Sequence, residues 1–242
     1  LLNCTIAGML FLTLGNGLVV WALKYVDSGI TALEISAQPL VVLLMMRVLE
    51  GKRIQPMSVV GVILGIIGIY LLVGQKQMIS DENTILGMVM IFFCMMCWAY
   101  GSLFVAKANL PTNFFINTCY QLIIGGLMLF FVSLGFGETW SVPTEWGINV
   151  QLSMIALVLF GSIVAFTSFN FLLRNVSPEK VASSTYVNPI IALFLGWYYL
   201  DEVITEQSII AAVILLTGVY FINTNKKLWF LSRFKSTKRS KE

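Results

Sequence analysis

The sequence predicts an all-α integral membrane protein, an inverted-repeat helical bundle with eight transmembrane helices present, and three observations carry that prediction. Of 242 residues, 58% are hydrophobic and 11% charged, against roughly 45–50% and 25% in soluble domains. Eight runs meet the requirement of about 20 mostly apolar residues for crossing a hydrocarbon core roughly 30 Å thick. The chain also resembles itself at an offset of 150 positions.

The eight runs are 2–23, 29–46, 56–73, 85–106, 114–136, 150–173, 181–200 and 208–222. None alternates apolar with polar residues for long, which excludes a closed barrel of short strands. Residue 1 is Leu and lies almost directly in a span, so the chain is expected to lack its true N-terminus. Gly61, Gly65 and Gly68 share one face of the third run, and Gly125 and Gly126 lie within the fifth. Spacings of three and four residues allow helix backbones to approach closely.

Lys and Arg mark the cytoplasmic side of short loops. The tail 226–242 holds Lys226, Lys227, Arg233, Lys235, Lys238, Arg239 and Lys241, which predicts a cytoplasmic C-terminus. Alternation from there puts Arg47, Lys52, Arg53, Lys107, Arg174 and Lys180 on the same side, thirteen of the fifteen basic residues, with Lys24 and Lys76 opposite. The tail follows a membrane span directly and carries few aromatic residues among its basic ones, Trp229 and Phe230 near its start and Phe234 beyond them, so it reads as a juxtamembrane anchor to anionic lipid. No nucleic-acid partner is expected.

At the 150-residue offset, 11–74 lies over 161–224 without a gap, pairing Lys24 with Arg174, Pro39 with Pro189, Ser58 with Ser208 and Tyr70 with Tyr220. The copies begin on the first and sixth spans and therefore run in opposite directions, the plan of many secondary transporters. The expected organisation is 1–76 as the remainder of a first repeat with three spans, 84–225 as a second repeat with five, and 226–242 as the basic tail. Two further spans upstream would make ten in the intact protein.

Within the second span an otherwise apolar segment carries Glu34, Gln38 and Pro39, echoed by Ser184, Asn188 and Pro189. An intramembrane carboxylate is costly to insert and is a functional candidate by default. Two readings of Glu34 stand: a site of proton coupling or cation recognition, or a carboxylate at the outer rim paired with Lys24. Gln38 follows one turn later on the same face. Each proline removes an amide and frees a carbonyl, which is tolerated where a cavity or neighbour satisfies it. Pro39 and Pro189 are therefore hinge candidates, with helix shaping as the alternative. Asn16, Asn117, Gln121, Thr167, Ser168 and Asn170 are further polar groups in the spans, each open to a binding or a helix-gluing role. Trp21, Trp98, Tyr100, Tyr120 and Tyr186 offer amphipathic walls for a flat or cationic solute. The candidate solute-binding set is Asn16, Glu34, Gln38, Trp98, Tyr100, Tyr120, Asn170, Ser184, Tyr186 and Asn188.

Cys4, Cys94, Cys97 and Cys119 all fall in predicted spans, where thiols act as small packing groups. The chain has no His, which excludes His-based nucleophilic catalysis and most zinc chemistry. Neither catalytic residues, a metal site nor a cofactor is expected, and no phosphate-binding G-x-x-x-x-G-K-S/T loop occurs.

Several motifs are similar to those of a known family. They are Trp98-Ala99-Tyr100-Gly101-Ser102, Phe160-Gly161-Ser162-Ile163-Val164-Ala165, Arg174-Asn175-Val176-Ser177-Pro178 and Tyr186-Val187-Asn188-Pro189, with Asp201 or Glu202 after the next span. On these the chain resembles the EamA family of the drug/metabolite transporter superfamily, ten-span bacterial carriers built of two inverted five-span repeats. Glu34 departs from the family pattern, which is apolar there. The resemblance implies a secondary transporter of the bacterial inner membrane, closest to the amino-acid and metabolite efflux branch. A small-molecule solute and the lipid bilayer are its implied partners. The alternatives are a membrane-embedded enzyme or a structural subunit without transport activity.

Overall fold

A computed structural model of the chain describes residues 1–26, 31, 34–35, 37–73, 84–187, 190–191, 194 and 205–223. Among them every regular element is helical. In chain order these are α1 (Leu2–Ala22), α2 (Gln38–Glu50), α3 (Pro56–Val73), α4 (Thr84–Lys107), α5 (Phe114–Gly135), α6 (Ile148–Asn175), α7 (Pro178–Ala182) and α8 (Glu206–Asn223). Helices α1, α4, α5 and α6 have the length and apolarity to cross a membrane, and α3 and α8 are shorter apolar helices. Asn188, Pro189, Asp201, Glu202 and the tail 226–242 lie outside the described residues.

Helices α4 and α5 follow the hydropathy of their segments closely. At 24 residues α4 is about 36 Å long, enough to cross the core with a modest tilt. Helix α5 starts where Asn113 Oδ1 accepts the amides of Phe115 (2.9 Å) and Ile116 (3.3 Å), a side-chain cap for otherwise orphaned donors. Helices α1 and α6 each contain a π-helical stretch, Met9–Asn16 and Leu157–Ala165. Burial separates centre from edge: 44% of the best apolar window of α4 is buried, against 6% for α6. The first two-thirds of α6 therefore leaves its apolar side chains exposed, and the helix packs inward through Phe166, Asn170 and Leu173.

Close approaches fix the directions of the helices. Gly8 meets Gln121 and Gly17 meets Leu129, so α1 and α5 run parallel. Gly15 lies against Trp98 and Gly87 against Val26, so α4 runs opposite to α1. Gly61 faces Gly218 while Gly68 faces Leu215 and Ala211, so α3 and α8 are antiparallel. This last contact is reciprocal under the 150-residue offset, because 218 is 68 + 150, 211 is 61 + 150 and 215 is 65 + 150. Gly218 in turn meets Gly61 and Gly65. A side chain at any of these glycines would push the two backbones apart.

The second and seventh predicted spans are not plain helices. The described helix of the second begins at Gln38 and runs past the predicted end at 46 to Glu50. The seventh enters through α7 and then a 3-10 turn, Ser183–Tyr186. Helix α2 ends at Gly51, whose φ of 65° is the left-handed conformation that glycine adopts without cost.

Candidate functional site

The polar residues of the second span sit where its helix tightens. The Ala37 amide donates to the Glu34 carbonyl (3.0 Å), and the Leu40 and Val41 amides both converge on the Ala37 carbonyl (2.9 and 3.1 Å). This is a local 3-10 turn at the place where Pro39 has no amide to give. The same three bonds recur 150 positions on. Val187 donates to Ser184 (3.0 Å), and Ile190 and Ile191 both donate to Val187 (3.1 Å each).

Around the first turn, Gln38 is buried and its Nε2 donates to the Met95 carbonyl of α4 at 3.2 Å. Glu34 is half-buried, with Oε2 enclosed and lacking a hydrogen-bond partner among the described residues. It lies within electrostatic reach of Cys94. Lys24, the rim partner considered for Glu34, instead faces Glu138 at 3.8 Å, with its ammonium 6.0 Å from the Trp21 ring. Around the second turn Ser184 is exposed. Tyr186 is fully buried, its hydroxyl donating to the Val62 carbonyl at 3.4 Å and its ring pressed against Gly65.

A second polar centre joins α5 to α6. Gln121 Nε2 donates to Asn117 Oδ1 (3.0 Å) and Asn170 Oδ1 (3.1 Å), and Asn117 Nδ2 donates to Asn170 Oδ1 (3.4 Å). Asn170 Nδ2 in turn donates to the Phe166 carbonyl at 3.1 Å, and the Cys4 thiol reaches Asn117 Oδ1 at 3.7 Å. All three amides have no exposed surface. Partners of this kind are what a buried amide requires in lipid, so the cluster glues helices together. Within the cluster, Gln121 Oε1 has no partner among the described residues. Beside it, Trp98 meets Phe11 at a tilt (4.8 Å between ring centroids) and Phe169 edge-on (5.2 Å) in an aromatic block.

The described members of the predicted set fall in several different contacts. Glu34 and Gln38 meet α4, Asn170 belongs to the amide cluster, Trp98 to the aromatic block and Tyr186 to the α3–α8 contact. Asn16, Tyr100, Tyr120 and Ser184 are exposed, and Asn188 and Pro189 lie outside the described residues. The four cysteines are free thiols.

Sequence reading missed an ion cluster at the far end of α2. The Glu50 carboxylate, with 7% of its side chain exposed, receives Lys52 and Lys107 at 2.8 Å each. Burial pushes its carboxyl up, but hydrogen bonds and positive charge from Lys107 and Lys52 outweigh that and hold it below the ordinary value. Helices α2 and α4 run parallel in a fixed register here, since Gln38 meets Met95 and Glu50 meets Lys107, each 57 positions apart. The signal was present in sequence, for Glu50 is the lone acid among Arg47, Lys52 and Arg53. Beside the cluster lies a cavity of about 300 Å³ lined by Leu49, Glu50, Tyr100, Leu103, Phe104, Lys107 and Ala108.

The uncharacterized inner membrane transporter YedA of Escherichia coli (strain K12) is 30% identical to this chain over 231 residues, covering 95% of this chain and 73% of that protein. The uncharacterized transporter YoaV of Bacillus subtilis (strain 168) is 22% identical over 209 residues, covering 86% and 70%. Among solved structures, a crystal structure described as that of a protein shares the fold, with a TM-score of 0.69 at 18% identity, covering 92% of this chain and 85% of that one. The family described as the EamA-like transporter family matches residues 1–74 and 85–224. With nearly the whole length matched, and with apolar membrane-crossing helices around buried polar groups, the chain belongs to the EamA-like transporter family, a family of membrane transporters and not of enzymes.

Proposed function

We propose that this protein is a secondary carrier that exports small metabolites or amino acids across the bacterial inner membrane by alternating access between two inverted repeats. Residues 1–76 are the three-span remainder of the first repeat, 84–225 the five-span second repeat, and 226–242 a cytoplasmic basic tail. The eight spans include the second and seventh segments, which carry Pro39 and Pro189. The family match divides into two blocks, 1–74 and 85–224, close to this boundary.

The observation that carries the reading is the recurrence of one set of backbone hydrogen bonds at residues 34–41 and 184–191. Two helices that tighten beside equivalent prolines are suited to a central site, because the carbonyl each proline leaves free is tolerated in a membrane where it lines a cavity. The reciprocal packing of α3 on α8 supports a pseudo-twofold axis between the copies. Solute contact is assigned to Glu34, Gln38, Ser184 and Asn188, with Pro39 and Pro189 as hinges. Basic residues on α2, α4 and α6 gather at one end, with Lys107 joined to Glu50 and Arg174 Nη1 donating to the Pro111 carbonyl at 2.8 Å. Lys24 and Glu138 mark the other end. That separation supports the orientation with the C-terminus in the cytoplasm.

Counterflow of labelled amino acids and metabolites in proteoliposomes tests the function. Saturable exchange of at least one solute, reduced in Gln38→Leu, is expected. Absence of saturable exchange across a broad panel sinks the carrier reading.

A further inference from the structure

The cavity beside Glu50 is formed by one face of α4. Tyr100, Leu103, Phe104 and Lys107 follow at i, i+3, i+4 and i+7, so an apolar strip about 10 Å long ends in an ammonium group. Leu103 is buried and forms the floor, while Leu49 and Tyr100 are 56% and 44% exposed at the open side. The charged end has an unusual construction. A single buried carboxylate holds two lysines, whose side chains remain 53% and 62% exposed. Each ammonium has three N–H donors and uses one on Glu50, so the remaining donors face outward. Glu50 thus fixes two like charges side by side. Arg47 and Arg53 stand nearby in sequence, leaving four cations against one acid at this end of α2 and α4.

We propose that this cleft is a binding site for an anionic phospholipid, its phosphate held between Lys52 and Lys107 and an acyl chain lying along Tyr100, Leu103 and Phe104. The occupant is argued from charge complementarity and from depth. The strip lies on a membrane-crossing helix that ends at Lys107, and Lys52, just past the end of α2, reaches the same Glu50 carboxylate at the depth where headgroups reside. An apolar strip leading out of the membrane to a phosphate-binding pair suits an amphiphile better than a small soluble anion. The site is independent of what the protein transports.

Native mass spectrometry of the full-length chain in detergent, offered equal amounts of phosphatidylglycerol and phosphatidylcholine, tests it. Retained adducts should be predominantly phosphatidylglycerol. The preference should fall about fivefold per lysine in Lys52→Gln and Lys107→Gln, and return in Lys52→Arg and Lys107→Arg. Ala108→Trp, which fills the cleft and keeps both lysines, should lower retention of either lipid. A preference unchanged by both glutamine substitutions overturns the proposal, as does full displacement of phosphatidylglycerol by millimolar inorganic phosphate, which would mark a free-anion site. Melting temperatures of the arginine variants close to the parent's keep a folding defect from imitating the result. If the tryptophan variant does not fold, the lysine substitutions decide alone.

Discussion

Glu50 is the residue whose environment gives the clearest consequence for stability. Its folded-state carboxyl lies below the ordinary 4.5, so the stabilisation from its two lysines is present above that value and lost as pH falls through the lower folded one. Glu50→Gln should therefore melt earlier than the parent at neutral pH, by on the order of 1 kcal/mol because both lysines are more than half exposed. The two proteins should converge below pH 4.5, and a constant gap down the whole titration would refute the ion-pair origin. Tyr186 poses a different case. Its 3.4 Å hydroxyl bond is long and its ring is fully enclosed, so Tyr186→Phe should cost under about 1 kcal/mol. Tyr186→Ala should cost about 3–5 kcal/mol through the void left behind, read by thermal denaturation in detergent. For Glu34, enclosed and without a hydrogen-bond partner among the described residues, Glu34→Gln should abolish any dependence of transport on a pH gradient. An unchanged pH profile would return Glu34 to a rim position.

At the level of helices, glycine position separates packing from vacancy. A Cβ at Gly218 would lie 2.7 Å from the Gly61 carbonyl, whereas one at Gly126 would meet nothing within 4 Å. Gly218→Leu should therefore separate α3 from α8, with loss of the monodisperse gel-filtration peak. Gly126→Leu should leave both peak and melting temperature unchanged. The neighbouring glycines of α5 read alike in sequence, yet Gly125 is pressed against Leu12 and Gly126 faces open space. Such differences depend on which helix lies opposite, and no local pattern contains that information. The same reasoning explains what else was legible. The spans predicted at 85–106 and 114–136 appear as Thr84–Lys107 and Phe114–Gly135, because continuous apolarity bounded by polar residues determines a membrane helix almost alone. The turn at Ala37 was not legible as a turn, since it follows from the missing amide of Pro39 and leaves hydropathy unchanged. The clasp of Glu50 with Lys107 depends on the register of α2 against α4, a tertiary property. Asn170 stood out as a polar residue in a span, but its union with Asn117 and Gln121 required the crossing of α5 and α6.

For the molecule as a whole, the arrangement of ends can be tested directly. In a cysteine-free background, single cysteines at Lys107 and Arg174 should react with a membrane-impermeant maleimide from the cytoplasmic face, and one at Glu138 from the opposite face. Labelling of Lys107→Cys and Glu138→Cys from one side would contradict the threading. The proposed two-copy organisation has an energetic consequence as well. A carrier made of two identical inverted halves has inward-open and outward-open states of equal energy, because the symmetry operation exchanges them. The clasp at Glu50 has no counterpart in the second copy, where Leu200 and Glu202 stand at the positions of Glu50 and Lys52. In the proposed alternating-access carrier, a clasp confined to one end would weight the resting population toward the state that keeps that end shut.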